Sequence, residues 1–215
     1  MTIPDEVAQG VGARLRSLRE SAGVTLRGLA KKLGISPSAV SQIERGHLQP
    51  SLGRVIAMTE ALGVPLTSAF APGSLPPGAI VRAEGVVVAR SGDIRAVPVR
   101  GGVTIRRLTP RPVDGVEFFE SVYPPGSASN AGAPVQHEGL ELGTVTSGEL
   151  TVELGSETLT LCAGDSISFP STTPHLLSNR SHDDAVATWI ILHSPGGVPR
   201  TPQGDDGPSL VSPHE

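Results

Sequence analysis

Residues 25–46 read TLRGLAKKLGISPSAVSQIERG, and two short helices are written into them. Thr25 is a good N-cap for a first helix over 26–33, and Leu26, Leu29, Ala30 and Leu33 recur there at helical spacing. Gly34 stands where that helix must end, because glycine takes a positive φ without a Cβ clash. Ser36 then caps a second helix, and Pro37 holds its first position, where a missing N–H costs nothing. Val40 and Ile43 face inward, Ser38, Ser41, Gln42 and Arg45 face outward, and Gly46 stops the helix. Two helices joined by a tight glycine turn leave the outer face of the second free to dock in a DNA groove.

The flanks complete a helical bundle. Residues 12–21 carry Leu15 and Leu18 on one face. Pro50-Ser51 opens another helix, with Leu52, Val55, Ile56 and Leu62 at core spacing, and Gly63-Val64-Pro65 ends it before a last short helix over 66–70. Residues 11–70 resemble the XRE-type, lambda-repressor-like DNA-binding domain, and SPSAVSQIERG is close to that family's recognition-helix pattern. The resemblance implies double-stranded operator DNA as the partner. It places Ser36, Pro37, Ser38, Ser41 and Gln42 where the family touches DNA. Gln42 is the best base reader, since an amide bonds bidentately to adenine. Arg27, Arg45, His47 and Arg54 are candidates for phosphates, which position the protein without reading sequence. Glu44 is expected to pair with Arg19 as a structural link. Proline at the second recognition position departs from the glutamine often found there and leaves fewer polar base contacts.

Charge agrees with a nucleic-acid-binding head. Residues 1–70 hold eight Lys or Arg against five Asp or Glu, a net of +3, while the remainder nets −7 within the total of −4. So mild a basicity binds weakly alone, so a homodimer is expected, reading half-sites about 34 Å apart. The length, 215 residues, suggests two domains. No run of eighteen apolar residues offers a membrane span, the first ten residues lack a secretory pattern, and the single cysteine, Cys162, makes no internal disulfide. These features point to the cytoplasm. Cys162 lies in the alternating LTLCAG and is read as core packing.

After residue 70 the chain changes character. Residues 71–79 hold APGSLPPG and carry turn chemistry with no period, as a linker would. Short strands are then expected over 86–89, 94–99, 103–108, 116–123, 143–146, 149–154, 158–162, 166–169 and 185–192, a jelly-roll pattern. Residues 194–215 are rich in Pro, Gly and Asp and read as a disordered tail. The fold class is therefore α+β multidomain: an all-α helix-turn-helix bundle (9–70), then an all-β barrel (80–193).

Two spacings in the β region carry chemistry: His137-x3-Glu141-x6-Gly148, and Gly164-x5-Pro170-x4-His175-x3-Asn179. They resemble the two motifs of the cupin superfamily. The resemblance implies that His137, Glu141 and His175 point into one barrel mouth. A full first motif has His-x-His, and here Val135 replaces the first histidine. Two histidines and a carboxylate remain, a set that suits a divalent iron, manganese, nickel or zinc ion. The alternative is that they serve an organic-ligand pocket or bond one another. Phe119 and Tyr123 share a strand face and are expected to line the same effector pocket. Trp189 is read as core. One of Arg106 and Arg107, which face opposite sides, is weighed as an anchor for an acidic effector against a solvated or dimer-edge role. His182, His193 and His214 have no partner at ligand spacing.

Two functions are consistent with these readings. The first is a transcriptional regulator whose helical head binds DNA and whose cupin senses a small molecule. The alternative is a mononuclear non-haem iron enzyme, since hydroxypropylphosphonate epoxidase joins a similar head to a cupin and holds iron by a similar set.

Overall fold

Four α-helices precede eleven β-strands among the described residues of the computed structural model, which are 5–70, 79–81, 85–90 and 92–193. The expected tail over 194–215 and nearly all of the expected linker lie outside them.

Helices α1 (Asp5–Ser21), α2 (Leu26–Leu33), α3 (Pro37–Glu44) and α4 (Leu52–Leu62) form the head, followed by a 3₁₀ turn over Leu66–Ala69. Each junction is closed locally. Thr25, Ser36 and Ser51 accept hydrogen bonds from the third residue onward, and Gly34 and Gly63 end their helices in the left-handed region. The recognition helix stops one residue earlier than expected, at Glu44, with Arg45 as its C-cap and Gly46 beyond it at φ 74°. Helix α1 begins at Asp5, well before the glycine at which the sequence suggested a start. Gly12 is there for proximity: a Cβ on it would lie 2.1 Å from the Ile43 carbonyl oxygen, so α1 crosses α3 at backbone contact.

The strands are β1 (Ile80–Val81), β2 (Val87–Val88), β3 (Val97–Pro98), β4 (Thr104–Arg107), β5 (Val116–Tyr123), β6 (Leu140–Ser147), β7 (Glu149–Leu154), β8 (Glu157–Cys162), β9 (Ser166–Pro170), β10 (His175–Ser178) and β11 (Ala185–Leu192). A six-stranded sheet in the order β3-β4-β5-β11-β6-β9 faces a three-stranded sheet in the order β10-β7-β8, the two-walled plan of a jelly roll. The walls are pinned where the motifs predicted. Gly148 and Gly164 turn the chain, and the Asn179 amide donates to the Tyr123 and Asp183 carbonyl oxygens at 2.6 and 2.7 Å. Trp189 and Phe169 meet edge-on in the interior.

Cys162 is exposed, which corrects its reading as core. Strand β8 is the edge of the smaller sheet, and both of its faces are largely open, so the alternation around Cys162 marks no buried side. Arg107 is buried and donates to the Thr109 and Pro110 carbonyl oxygens, while Arg106 pairs with Glu120 across the strands at 2.8 Å.

The apolar core runs without a break from Leu15 and Leu29 in the head to Phe119 and Trp189 in the barrel. Polar contacts fix the same junction. The Glu117 carboxylate, buried on β5, accepts the backbone N–H groups of Leu66 and Thr67. The Asn130 side chain accepts the Gly53 N–H at 3.2 Å, and the Arg100 N–H reaches the Pro50 carbonyl oxygen at 3.0 Å. Asn130 and Ala131 hold φ values of 48° and 54°; asparagine tolerates the left-handed region, but at Ala131 it costs about 1–2 kcal/mol.

Candidate functional site

Helix α3 presents the expected outward face. Ser36, Pro37, Ser38, Gln42, Arg45 and His47 are exposed, as is Arg27 on α2, while Ser41 and Arg54 are half-buried. Val40, Ile43 and Glu44 hold the opposite face to the core. Glu44 is a structural partner, as expected: the Arg19 guanidinium grips its two carboxylate oxygens at 2.6 and 2.9 Å and also donates to the Val24 carbonyl oxygen. The Glu44 hydrogen bond holds the Arg19 guanidinium above its usual pKa, against the opposing effect of burial. That pair fixes α3 against α1, so Gln42 and Ser38 are offered from a rigid helix.

The second candidate site lies in the barrel mouth. Strand β6 carries Glu141, the loop before it carries His137, and β10 carries His175. Their side chains are buried together, with His137 Nε2 and His175 Nε2 at 3.0 and 3.1 Å from Glu141 Oε1. Each imidazole is oriented by its other nitrogen. His137 Nδ1 meets the Glu138 carbonyl oxygen at 3.1 Å, and His175 Nδ1 meets that of Thr173 at 2.8 Å. In the neutral imidazole, the form that ligates a metal, an Nδ1–H that donates to a carbonyl leaves Nε2 as a bare lone pair. The buried Glu141 Oε1 accepts no hydrogen bond of good geometry. Three acceptor atoms facing one another is an arrangement a cation completes. The two nitrogens lie 3.0 and 3.1 Å from the carboxylate oxygen, and the three ligand atoms all lie within 4.8 Å of one another, close enough to share one ion. The residues therefore fit a divalent metal.

With no ion bound, a proton on an imidazole takes the cation's place beside Glu141. Burial pushes the Glu141 carboxyl upward, but the two histidines outweigh it and hold its pKa at about 2. Burial opposes the charged form of His137, and its contacts with Glu141 reverse that and raise it.

The cavity that holds these three groups is also lined by Phe119, Tyr123, Ser129, Leu177 and Trp189, so all five residues expected in an effector pocket come together. Burial pushes the Tyr123 hydroxyl's titration far upward. The cavity measures about 20 Å³, room for about one water. Leu52, Ile56 and Leu66 of the head close its wall. Beyond them an open cleft of about 790 Å³ lies between head and barrel, within the size range of small-molecule sites. Glu60, Asp114, Glu117, Glu138 and His193 line it, and it shares Ile56, Leu66, His137 and Ile191 with the inner cavity. Sequence reasoning missed Glu117, although the alternation of β5 places it on the face of Phe119 and Tyr123. Arg106, Arg107 and His182 line neither space.

Among the described residues no helix is long and apolar enough to cross a membrane. A family model described as a helix-turn-helix domain matches residues 11–69, and one described as a cupin domain matches residues 119–191. The HTH-type transcriptional regulator PuuR of Escherichia coli K12 is 27% identical over 186 residues, which span 86% of this chain and 94% of that protein. The regulator SutR of the same strain is 22% identical over 193 residues, covering 89% and 98%. A crystal structure of an HTH_3 family transcriptional regulator from Vibrio cholerae superposes with a TM-score of 0.62 at 22% identity, over 88% of this chain and 98% of that one. The two-part architecture is therefore shared along nearly the full length of these proteins.

Proposed function

We propose that this chain, which joins a helix-turn-helix domain to a cupin domain, is a DNA-binding transcriptional regulator whose barrel senses a small molecule. The observation that carries the reading is the outward face of α3. Ser38, Gln42 and Arg45 are exposed there on a helix that Arg19 and Glu44 lock in place, and the barrel leaves that face uncovered. The regulators PuuR and SutR, similar along most of the chain, support it.

In this reading Gln42 bonds an adenine edge, and Ser38 and Ser41 bond bases or phosphates. Ser36 and Pro37 bring the helix N-terminus to the backbone, and Arg27, Arg45, His47 and Arg54 hold phosphates. The head's small positive charge calls for two heads, hence a homodimer on a palindromic operator.

In the barrel, Phe119 and Tyr123 supply apolar wall, and His137, Glu141 and His175 supply the polar anchor. His137 Nε2, His175 Nε2 and Glu141 Oε1 would hold a divalent ion there, which would supply a Lewis-acidic centre for an oxygen or nitrogen of the ligand. The same three residues favour a second reading, an oxygen-activating iron cupin. Consumption of oxygen by the iron-loaded protein with an organic substrate is its test.

Selection of genomic fragments by the purified full-length protein at physiological salt tests the regulator. A discrete, roughly palindromic motif is expected, and recovery of unrelated fragments with no shared sequence overturns the reading.

A further inference from the structure

The cavity around Glu141 is completed by the other domain. Three of its lining residues, Leu52, Ile56 and Leu66, come from α4 and the 3₁₀ turn, and the same Ile56 and Leu66 also line the open cleft outside. Ile56 and Leu66 of the head, with His137 and Ile191 of the barrel, therefore stand between a site-sized cleft and a cavity holding about 20 Å³. The wall is fastened by polar contacts as well as apolar packing. Glu117 is 1% exposed, and its two carboxylate oxygens take the N–H groups of Leu66 and Thr67. At the opposite end, Asn130 takes the Gly53 N–H from a segment whose backbone is held in the left-handed region at Asn130 and Ala131. Strain of this kind persists only where surrounding contacts enforce it, and it favours release when they are lost.

We infer that the helix-turn-helix domain is the lid of the cupin cavity, latched by Glu117 and Asn130, so that a ligand passes from the cleft, which His137 already lines, to Glu141 and His175 only when α4 and the 3₁₀ turn lift away. What the lid admits rests on the reading of the barrel as a ligand site; the lid itself does not. Any occupant larger than about one water needs the space that Leu52, Ile56 and Leu66 fill. Helix α4 packs on α1 and α2, which in turn pack on α3, so displacing it carries the recognition helix along. Occupancy of the barrel and placement of the DNA-reading face are thus two readouts of one movement, and ligand binding shifts the population between latched and lifted heads.

Trp189 reports on the cavity directly. It is the chain's only tryptophan, it lines the inner cavity, and it is 1% exposed. Acrylamide quenching of its fluorescence is measured in the full-length protein and in two variants. Glu117→Gln leaves one acceptor oxygen for two N–H groups and turns an amide donor toward them. Asn130→Gly removes the bond to Gly53 and suits the left-handed backbone, so it keeps the fold even where Glu117→Gln does not. The expected result is a several-fold rise in the quenching constant in both variants, or in Asn130→Gly alone if the other does not fold, with native circular dichroism. Native-like variants that quench as the wild type does would overturn the lid.

Uptake of Co²⁺ by the metal-free protein separates the two claims. Faster uptake in the latch variants supports the lid over a metal site. Raised quenching with no Co²⁺ bound at any concentration leaves the lid standing and removes the metal. Uptake equally fast in all three proteins, with quenching unchanged, overturns the lid.

Discussion

Replacing Glu44 by alanine separates the structural role of α3 from the DNA-reading role proposed for it. Glu44 sits two residues after Gln42 and carries a base-reading side-chain type, yet only 3% of its side chain is exposed, and both oxygens are held by Arg19 at 2.6 and 2.9 Å. Removing one partner of a fully buried pair costs about 3–5 kcal/mol, chiefly by stranding the other charge. Arg19 would keep its bond to the Val24 carbonyl oxygen, approach Glu20 at 3.5 Å, and is 10% exposed, so the lower end applies. About 3 kcal/mol is a large part of the 5–15 kcal/mol that stabilises a typical domain. Urea unfolding followed by the helical circular-dichroism signal measures it. Replacing Arg19 and Glu44 together by methionine is expected to restore most of the loss, because no charge is left orphaned. Where folded, Glu44→Ala should keep the wild-type base preference. A stability change within about 0.5 kcal/mol, or an altered preference at one base, would refute the reasoning.

Gln42→Ala is expected to behave in the opposite way, with unfolding unchanged, specific binding weakened by about 1–3 kcal/mol, and one base position relaxed in a selection experiment. Arg45→Ala should weaken all duplexes alike and reduce the salt slope of binding by about one, checked by fluorescence-anisotropy titrations across salt concentrations; a loss confined to one sequence contradicts a phosphate role. His175→Ala should abolish divalent-metal retention, since it removes one of three ligands, and metal analysis showing equal content in variant and wild type would exclude that site.

Helices α2, α3 and α4 were legible almost to the residue because their signals are local, whereas the start of α1 at Asp5 was not. Thr25, Ser36 and Ser51 cap helices through bonds that span three positions, and Gly34 and Gly63 end them by their own backbone freedom. The cupin motifs were legible because their glycines, proline and asparagine each answer a turn. Strand β10 was missed as a strand: all four of its residues are buried, so it shows none of the alternation that marked its neighbours. Cys162 misled for the converse reason, since alternation on an edge strand with two open faces carries no inward direction. The docking of head on barrel had no local signal. Glu117 meets Leu66 and Thr67 across about fifty residues of chain, and only its place on the inward face of β5 hinted that a carboxylate there needs buried donors.

The central claim is that α3 reads DNA sequence on behalf of a regulator. Its most direct test is the ratio of affinities of the full-length protein for its selected motif and for an unrelated duplex of equal length, at physiological salt. A ratio of about 10³ or more is expected for a specific regulator. A ratio near one, falling with salt in parallel for both duplexes, would contradict it.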